Sequence, residues 1–166
     1  MARSPSAVTR AEITRGGHQS AGRSARRIRP VIVSTAEHVV IDASAVVELL
    51  GDFTYGQAVQ ERLRDTRIHA PAHLDAEVLS ALGRLNRSGT IDATEVEAGL
   101  TRLTQFPVQR HGLDTLVLGA WARRADIRLL DALYVELATQ LRVSLLTVDR
   151  KLARVCGIAE DLSASG

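Results

Sequence analysis

Short apolar strands alternate with amphipathic helices between residues 38 and 156, and two of those strands run directly into an aspartate at a helix start. This alternation predicts an α/β domain built on a parallel sheet. At 166 residues, 45% hydrophobic and 24% charged, the chain can bury one real core and carry an appendage. No apolar run approaches the roughly 18 residues that a membrane span needs. The single cysteine, Cys156, excludes an internal disulfide framework and any multi-cysteine metal site. With no secretory signal in evidence, the expected location is the cytoplasm.

The net charge of +2 hides an asymmetry. Residues 1–30 hold seven arginines against Glu12, a balance of +6, which leaves −4 for the remainder. A global argument from basicity to nucleic-acid binding is therefore unsafe. The first 30 residues are too polar to offset their ordering entropy, so residues 1–37 are expected to be a disordered arginine-rich extension. It reads as an electrostatic arm for RNA, as a transit peptide, or as residues upstream of a true start near Val31, Val33 or Val39. The domain proper is expected over residues 38–160, with a tail at 161–166.

Taken in order, Val39-Val40-Ile41 is a short buried strand ending on Asp42, and a helix follows from about Ala45 to Leu50. A second helix is expected from Tyr55 to Arg64, then an extended stretch Arg67 to Pro71. The helix from His73 to Arg87 carries Leu74, Val78, Ala81, Leu82 and Leu85 on one stripe and stops at Ser88-Gly89. Asp92 caps a helix that runs to Gln105, before a short strand at Val108 to His111. Helices at Leu113–Arg124 and Leu129–Arg142 precede the strand Ser144 to Val148, which leads into Asp149 and a helix over Arg150–Val155. Residues 157–166 carry only a weak pattern.

Asp42 and Asp149 share one local plan: buried strand, acid, helix start. In open α/β sheets, ligands bind outside the carboxyl ends of the strands, so adjacent strands would bring both acids to one rim. Helix capping is the competing reading for each of them, with Ser44 and Thr147 as alternative caps. Asp131 lies roughly 140° around its helix from the polar face set by Glu136, Thr139 and Gln140. A carboxylate among Leu and Val neighbours needs a cation, a donor or a raised pKa. The competing reading is a first-turn position favoured by the helix dipole. Glu77, at the border of its helix's apolar stripe, reads on its own as an ordinary surface glutamate.

Converging acids repel one another unless a hard cation holds them, and oxygen-only ligands suit Mg²⁺ or Mn²⁺ rather than zinc. His18, His38, His69, His73 and His111 show no metal-ligand spacing, and there is no Walker loop, dinucleotide fingerprint or G-x-S-x-G elbow. Carboxylates with Mg²⁺ are equipment for phosphodiester hydrolysis through metal-activated water.

Four pieces occur in order: Val40-Ile41-Asp42-Ala43-Ser44-Ala45; Ala70-Pro71 followed by Glu77; Leu130-Asp131-Ala132-Leu133-Tyr134-Val135-Glu136-Leu137-Ala138; and Leu145-Leu146-Thr147-Val148-Asp149-Arg150-Lys151-Leu152. Together they resemble a PIN-domain ribonuclease of the VapC type, the toxin half of a bacterial toxin–antitoxin pair. The resemblance covers residues 38–156 and implies a three-layer α/β/α sandwich around a parallel five-stranded sheet. It places an acidic quartet on Asp42, Glu77, Asp131 and Asp149, supported by the hydroxyls of Ser44 and Thr147. It also implies Mg²⁺-dependent RNA cleavage, with Mn²⁺ as a substitute, leaving 5′-phosphate and 3′-hydroxyl ends. A homodimer and a cognate antitoxin are the implied partners. The last strand that the family has after Val155 is poorly written in residues 157–166.

RNA reaching an acidic rim needs cations around it, for which Arg84, Arg87, Arg123, Arg124, Arg128 and Arg150 are the candidates. With 3% aromatic residues, the chain is poorly equipped for base stacking, so recognition of a folded RNA's shape and backbone is expected. The alternative is a catalytically silent module of the same fold that binds RNA or protein; an intact quartet argues against it. A phosphoacceptor domain of the response-regulator kind would need adjacent acids after the first strand, and Glu37 stands too far from Asp42.

Overall fold

A computed structural model describes residues 36–164, and the expected arginine-rich arm at residues 1–30 lies outside the described residues. Five strands, β1 (Glu37–Ile41), β2 (Thr66–Pro71), β3 (Val108–His111), β4 (Ser144–Thr147) and β5 (Ala159–Asp161), form one sheet in the order β3-β2-β1-β4-β5. Every neighbouring pair is parallel. The helices are α1 (Ala43–Gly51), α2 (Gly56–Arg62), α3 (Leu74–Arg87), α4 (Ala93–Gln105), α5 (Val117–Ala122), α6 (Leu129–Leu141) and α7 (Arg150–Val155). The expected α/β fold with a parallel five-stranded sheet is what the chain adopts.

The central strands are buried on both faces, as a parallel sheet covered on two sides requires. Val39, Val40, Ile41, Leu145 and Leu146 are all fully enclosed. Helices α1 to α4 pack among themselves, while α6 packs on β1, β2 and β4 and carries α5 on its other side. That double contact explains why α6 is apolar around most of its circumference.

Local signals set most boundaries. The Ser88-Gly89 stop of α3 closes as a Schellman motif: Gly89 has φ +73°, its N–H donates to Asn86 O, and Thr90 N–H donates to Leu85 O. Helix α4 opens on a capping box between Asp92 and Glu95. Helix α2 opens on Gly56, where a Cβ would lie 2.7 Å from the Glu48 carbonyl oxygen of α1, so this close approach of α1 and α2 requires glycine. Helix α5 is shorter than expected, since Leu113 to Leu116 form a turn that precedes it. Pairing in β1 starts at Glu37, and the chain beyond residue 160 completes β5 and a short 3-10 turn, Leu162–Ala164.

Strand β5 forms despite its weak pattern because it is an edge strand whose three residues are all half-buried. Side chains fasten it instead. Arg62 of α2 bridges Glu160 of β5 at 2.7 Å and Glu37 of β1 at 2.8 Å. Arg150 Nε donates to Ser163 Oγ at 2.9 Å.

The strand order reverses between β1 and β4. Connections leave β1 toward β2 on one side and return to β4 on the other, opening a crevice beyond their carboxyl ends. Asp42 N–H donates to Leu146 O at 3.1 Å, carrying the pairing one residue past β1 and fixing Asp42 at that crevice.

Candidate active site

Asp42 and Asp149 leave adjacent strands at the same rim. Both also cap helices: Asp42 Oδ1 accepts from Ala45 N–H at 3.0 Å, and Asp149 Oδ1 from Lys151 N–H at 2.7 Å and Leu152 N–H at 3.3 Å. Capping does not exclude a site here: it uses one oxygen of each carboxylate, and a carboxylate oxygen can accept more than one bond.

Asp42 is only 5% exposed, and two hydroxyls hold it. Ser44 Oγ donates to Oδ1 at 2.8 Å and Thr147 Oγ1 donates to Oδ2 at 2.6 Å. Each hydroxyl then accepts a backbone N–H from the turn after β4, Ser44 from Val148 at 3.2 Å and Thr147 from Asp149 at 2.9 Å. The Asp42 carboxylate is thereby bonded, through one hydroxyl on each side, to the turn that carries Asp149. Burial pushes its carboxyl up to about 6, against the pull of the Thr147, Ala45 and Ser44 hydrogen bonds and with a further push from the Asp131 charge.

Asp131 sits in the first turn of α6 and Glu77 in the first turn of α3. Burial raises Asp131, and the charges of Glu77 and Asp149 raise it further, while Arg128 and His73 oppose them. Glu77 is pushed up by burial, but the contacts of His73 and Tyr134 and the charges of His73 and Arg84 outweigh that push, so its carboxyl lies below the usual range. Tyr134 OH donates to Glu77 Oε2 at 2.7 Å. His73 Nε2 lies 3.2 Å from the same oxygen, without hydrogen-bond alignment.

The charge of Asp131 thus acts on Asp42, and the charges of Glu77 and Asp149 act on Asp131. Among the described residues, no three His, Cys, Asp or Glu side chains already close on a single point. Asp131 and Asp149 line a cavity of about 400 Å³ together with Asp126, Arg128 and Lys151. The donor set is oxygen-only and carries an excess of negative charge, which suits a hard divalent cation.

The six arginines fare differently. Arg128 borders the cavity of Asp131 and Asp149, and Arg84 acts on Glu77 through its charge. Arg123 is engaged by Glu136, by the Gly119 carbonyl at 2.8 Å and by Thr139 at 3.3 Å. Arg124 lies 4.8 Å above the Trp121 ring, Arg150 is tied to Ser163, and Arg87 is exposed near the end of α3. Three residues at the site escaped the sequence reading: Lys151, His73 and Tyr134. Tyr134 follows Asp131 by three positions on α6, a spacing that puts both on one helix face and could have flagged it.

The PIN domain family pattern matches residues 39–158. Ribonuclease VapC3 of Mycobacterium tuberculosis is 55% identical over 122 residues, spanning 73% of this chain and 89% of its own. Ribonuclease VapC12 of the same organism is 37% identical over 119 residues, 72% of this chain and 92% of its own. The crystal structure of PAE2754 from Pyrobaculum aerophilum superposes with a TM-score of 0.60 at 25% identity, covering 80% of this chain and 88% of that one. The parallel sheet, the rim of carboxylates and these likenesses converge, and the chain belongs to the PIN-domain family as a ribonuclease toxin of the VapC type.

Proposed function

We propose that this protein is a Mg²⁺-dependent endoribonuclease whose metal is held by Asp42, Glu77, Asp131 and Asp149, with Mn²⁺ able to substitute. The observation that carries the reading is the placement of Asp42 and Asp149 just beyond the carboxyl ends of the adjacent strands β1 and β4, with Asp131 lining the same cavity as Asp149. A divalent ion bound there lowers the pKa of water and neutralises charge on phosphate oxygens. The chain's own residues supply the rest. Ser44 and Thr147 keep the buried Asp42 oriented, and burial together with the charges of Glu77 and Asp149 raises the Asp131 carboxyl above its ordinary value. Arg128 and Lys151 bracket the cavity of Asp131 and Asp149 and draw the RNA backbone toward the acids.

With few aromatic side chains for stacking, the substrate in this reading is a folded RNA recognised by shape and backbone. Its partners are a cognate antitoxin protein and a second copy of the chain, and its place is the cytoplasm. No helix among the described residues is long and apolar enough to cross a membrane.

The test is cleavage of total RNA by purified protein, freed of any co-purifying inhibitor, in Mg²⁺ and in EDTA, for the wild type and Asp42→Asn. Discrete cuts that require both the metal and Asp42 are the expected result. No cutting under any divalent metal would favour a catalytically silent binding module, and cutting that survives Asp42→Asn would refute the assigned site.

A further inference from the structure

Glu77, like Asp131, is a member of the quartet that no strand end fixes. It rides on the first turn of α3, a helix surface from which a glutamate has three side-chain torsions to explore. Two side chains remove that freedom. Tyr134, 1% exposed, reaches from α6 and donates its hydroxyl to Glu77 Oε2. His73, four residues before Glu77, brings Nε2 to 3.2 Å from the same oxygen. The two rings pack on each other with centroids 4.8 Å apart at an angle of 50°. Tyr134 is thus fixed by the carboxylate, and His73 is held beside the same oxygen by packing on Tyr134.

Both contacts fall on one oxygen. Among the described residues, Glu77 Oε1 accepts no hydrogen bond, so the carboxylate has one oxygen spent and one open. The placement of Tyr134 supports a role at the site. It stands three residues after Asp131 on the same face of α6, so one helix delivers an acid and the residue that orients the neighbouring acid. A buried phenol needs a polar partner, and here the partner is a carboxylate of the quartet.

We propose that Tyr134 and His73 are positioning residues that hold Glu77 by Oε2 and leave Oε1 as the single oxygen it presents to the divalent ion. This rests on the assignment of Glu77 as a ligand made above. Outer-shell partners of this kind orient ligating carboxylates, and their loss commonly weakens metal binding by about 10–100-fold. Tyr134 and His73 touch neither substrate nor ion. They act through Glu77 alone.

The experiment is a double-mutant cycle read by calorimetric titration of Mn²⁺ into the full-length protein, with circular dichroism as the check on folding. Tyr134→Phe keeps the ring and removes only the hydroxyl; His73→Phe keeps a ring against Tyr134 and removes the nitrogens. Each is expected to weaken Mn²⁺ binding about tenfold. In a Glu77→Gln background, neither is expected to weaken it further, because the residue they act through is already lost. Wild-type Mn²⁺ affinity in Tyr134→Phe would overturn the proposal, and so would an equal loss in both backgrounds, which would mean Tyr134 acts independently of Glu77. Unchanged Mn²⁺ binding in Glu77→Gln alone would instead overturn the ligand assignment on which the proposal rests.

Discussion

Thr147 Oγ1 donates to Asp42 Oδ2 at 2.6 Å, joining residues 105 positions apart across the seam between β1 and β4. This bond partly offsets the burial that drives the Asp42 carboxyl up to about 6. In Thr147→Val the shape is kept, but Oδ2 loses its donor and the Asp149 N–H loses its acceptor. An unsatisfied buried group costs about 1–3 kcal/mol, so the Asp42 carboxyl should climb further. The expected outcome is an acid limb of the cleavage pH profile displaced to higher pH, with activity at neutral pH down about 10–100-fold. A pH–rate profile matching that of the wild type would show that Thr147 does not tune Asp42.

Asp42 itself is predicted to limit stability. Its carboxyl titrates at about 6 in the folded chain against an ordinary value of 3.8. A group raised on folding contributes stability that is fully present below its unfolded pKa and is lost as pH rises through its folded pKa. Without a cation, the ionised carboxylate therefore costs the fold about 3 kcal/mol above pH ~6. Asp42→Asn removes that cost. In EDTA it should melt several degrees above the wild type at pH 7.5, with the gap closing toward pH 4. Melting curves across that range are the measurement, and parallel pH dependences for the two proteins would contradict the prediction.

The residues that prove legible from sequence are those whose environment is local. Asp42 and Asp149 announce themselves because a buried strand ends on each, and their capping role, equally legible, coexists with the site. Asp131 is betrayed by its apolar neighbours, although it also holds the first-turn position that was the competing reading. Glu77 is not legible by such means. What distinguishes it is Tyr134, 57 residues away, and only the resemblance to a known family pointed to it. The same reason hides the state of the arginines. Arg123 looks as free as Arg128 in sequence, yet Glu136, Gly119 and Thr139 claim it in the fold. Strand β5 was hard to read because an edge strand needs pairing partners more than an apolar pattern.

A chain of three imidazoles crosses the strands β1, β2 and β3. His38 Nδ1 and His69 Nε2 are 2.9 Å apart, as are His69 Nδ1 and His111 Nε2. Burial, then the charges of His111, His38 and Arg67, hold His69 below the ordinary histidine range. A histidine depressed on folding stabilises the protein above its unfolded pKa, and that stability is lost as pH falls through the folded value. Wild-type stability relative to His69→Phe should thus be flat above pH ~6.5 and decline below it. Urea unfolding at several pH values measures the difference. A difference that stays constant down to pH 5 would show that His69 does not carry this dependence.

The last prediction concerns how RNA tolerates an acidic rim. Arg128 and Lys151 line the same cavity as Asp131 and Asp149, and both are exposed. Phosphate contacts by such cations release counterions, so each one adds a term of roughly 0.7 to 0.9 to the slope of log affinity against log salt. Binding is best measured on Asp42→Asn, which should hold RNA without cutting it. In that background Arg128→Gln and Lys151→Gln are each expected to weaken binding at low salt and to flatten the slope by about one unit. Arg123→Gln makes the contrast, because its guanidinium is already occupied by Glu136. It should lower the melting temperature, through loss of a partly buried pair, and leave the salt slope unchanged. Equal slopes for Arg128→Gln, Lys151→Gln and their parent would place the RNA backbone elsewhere on the surface.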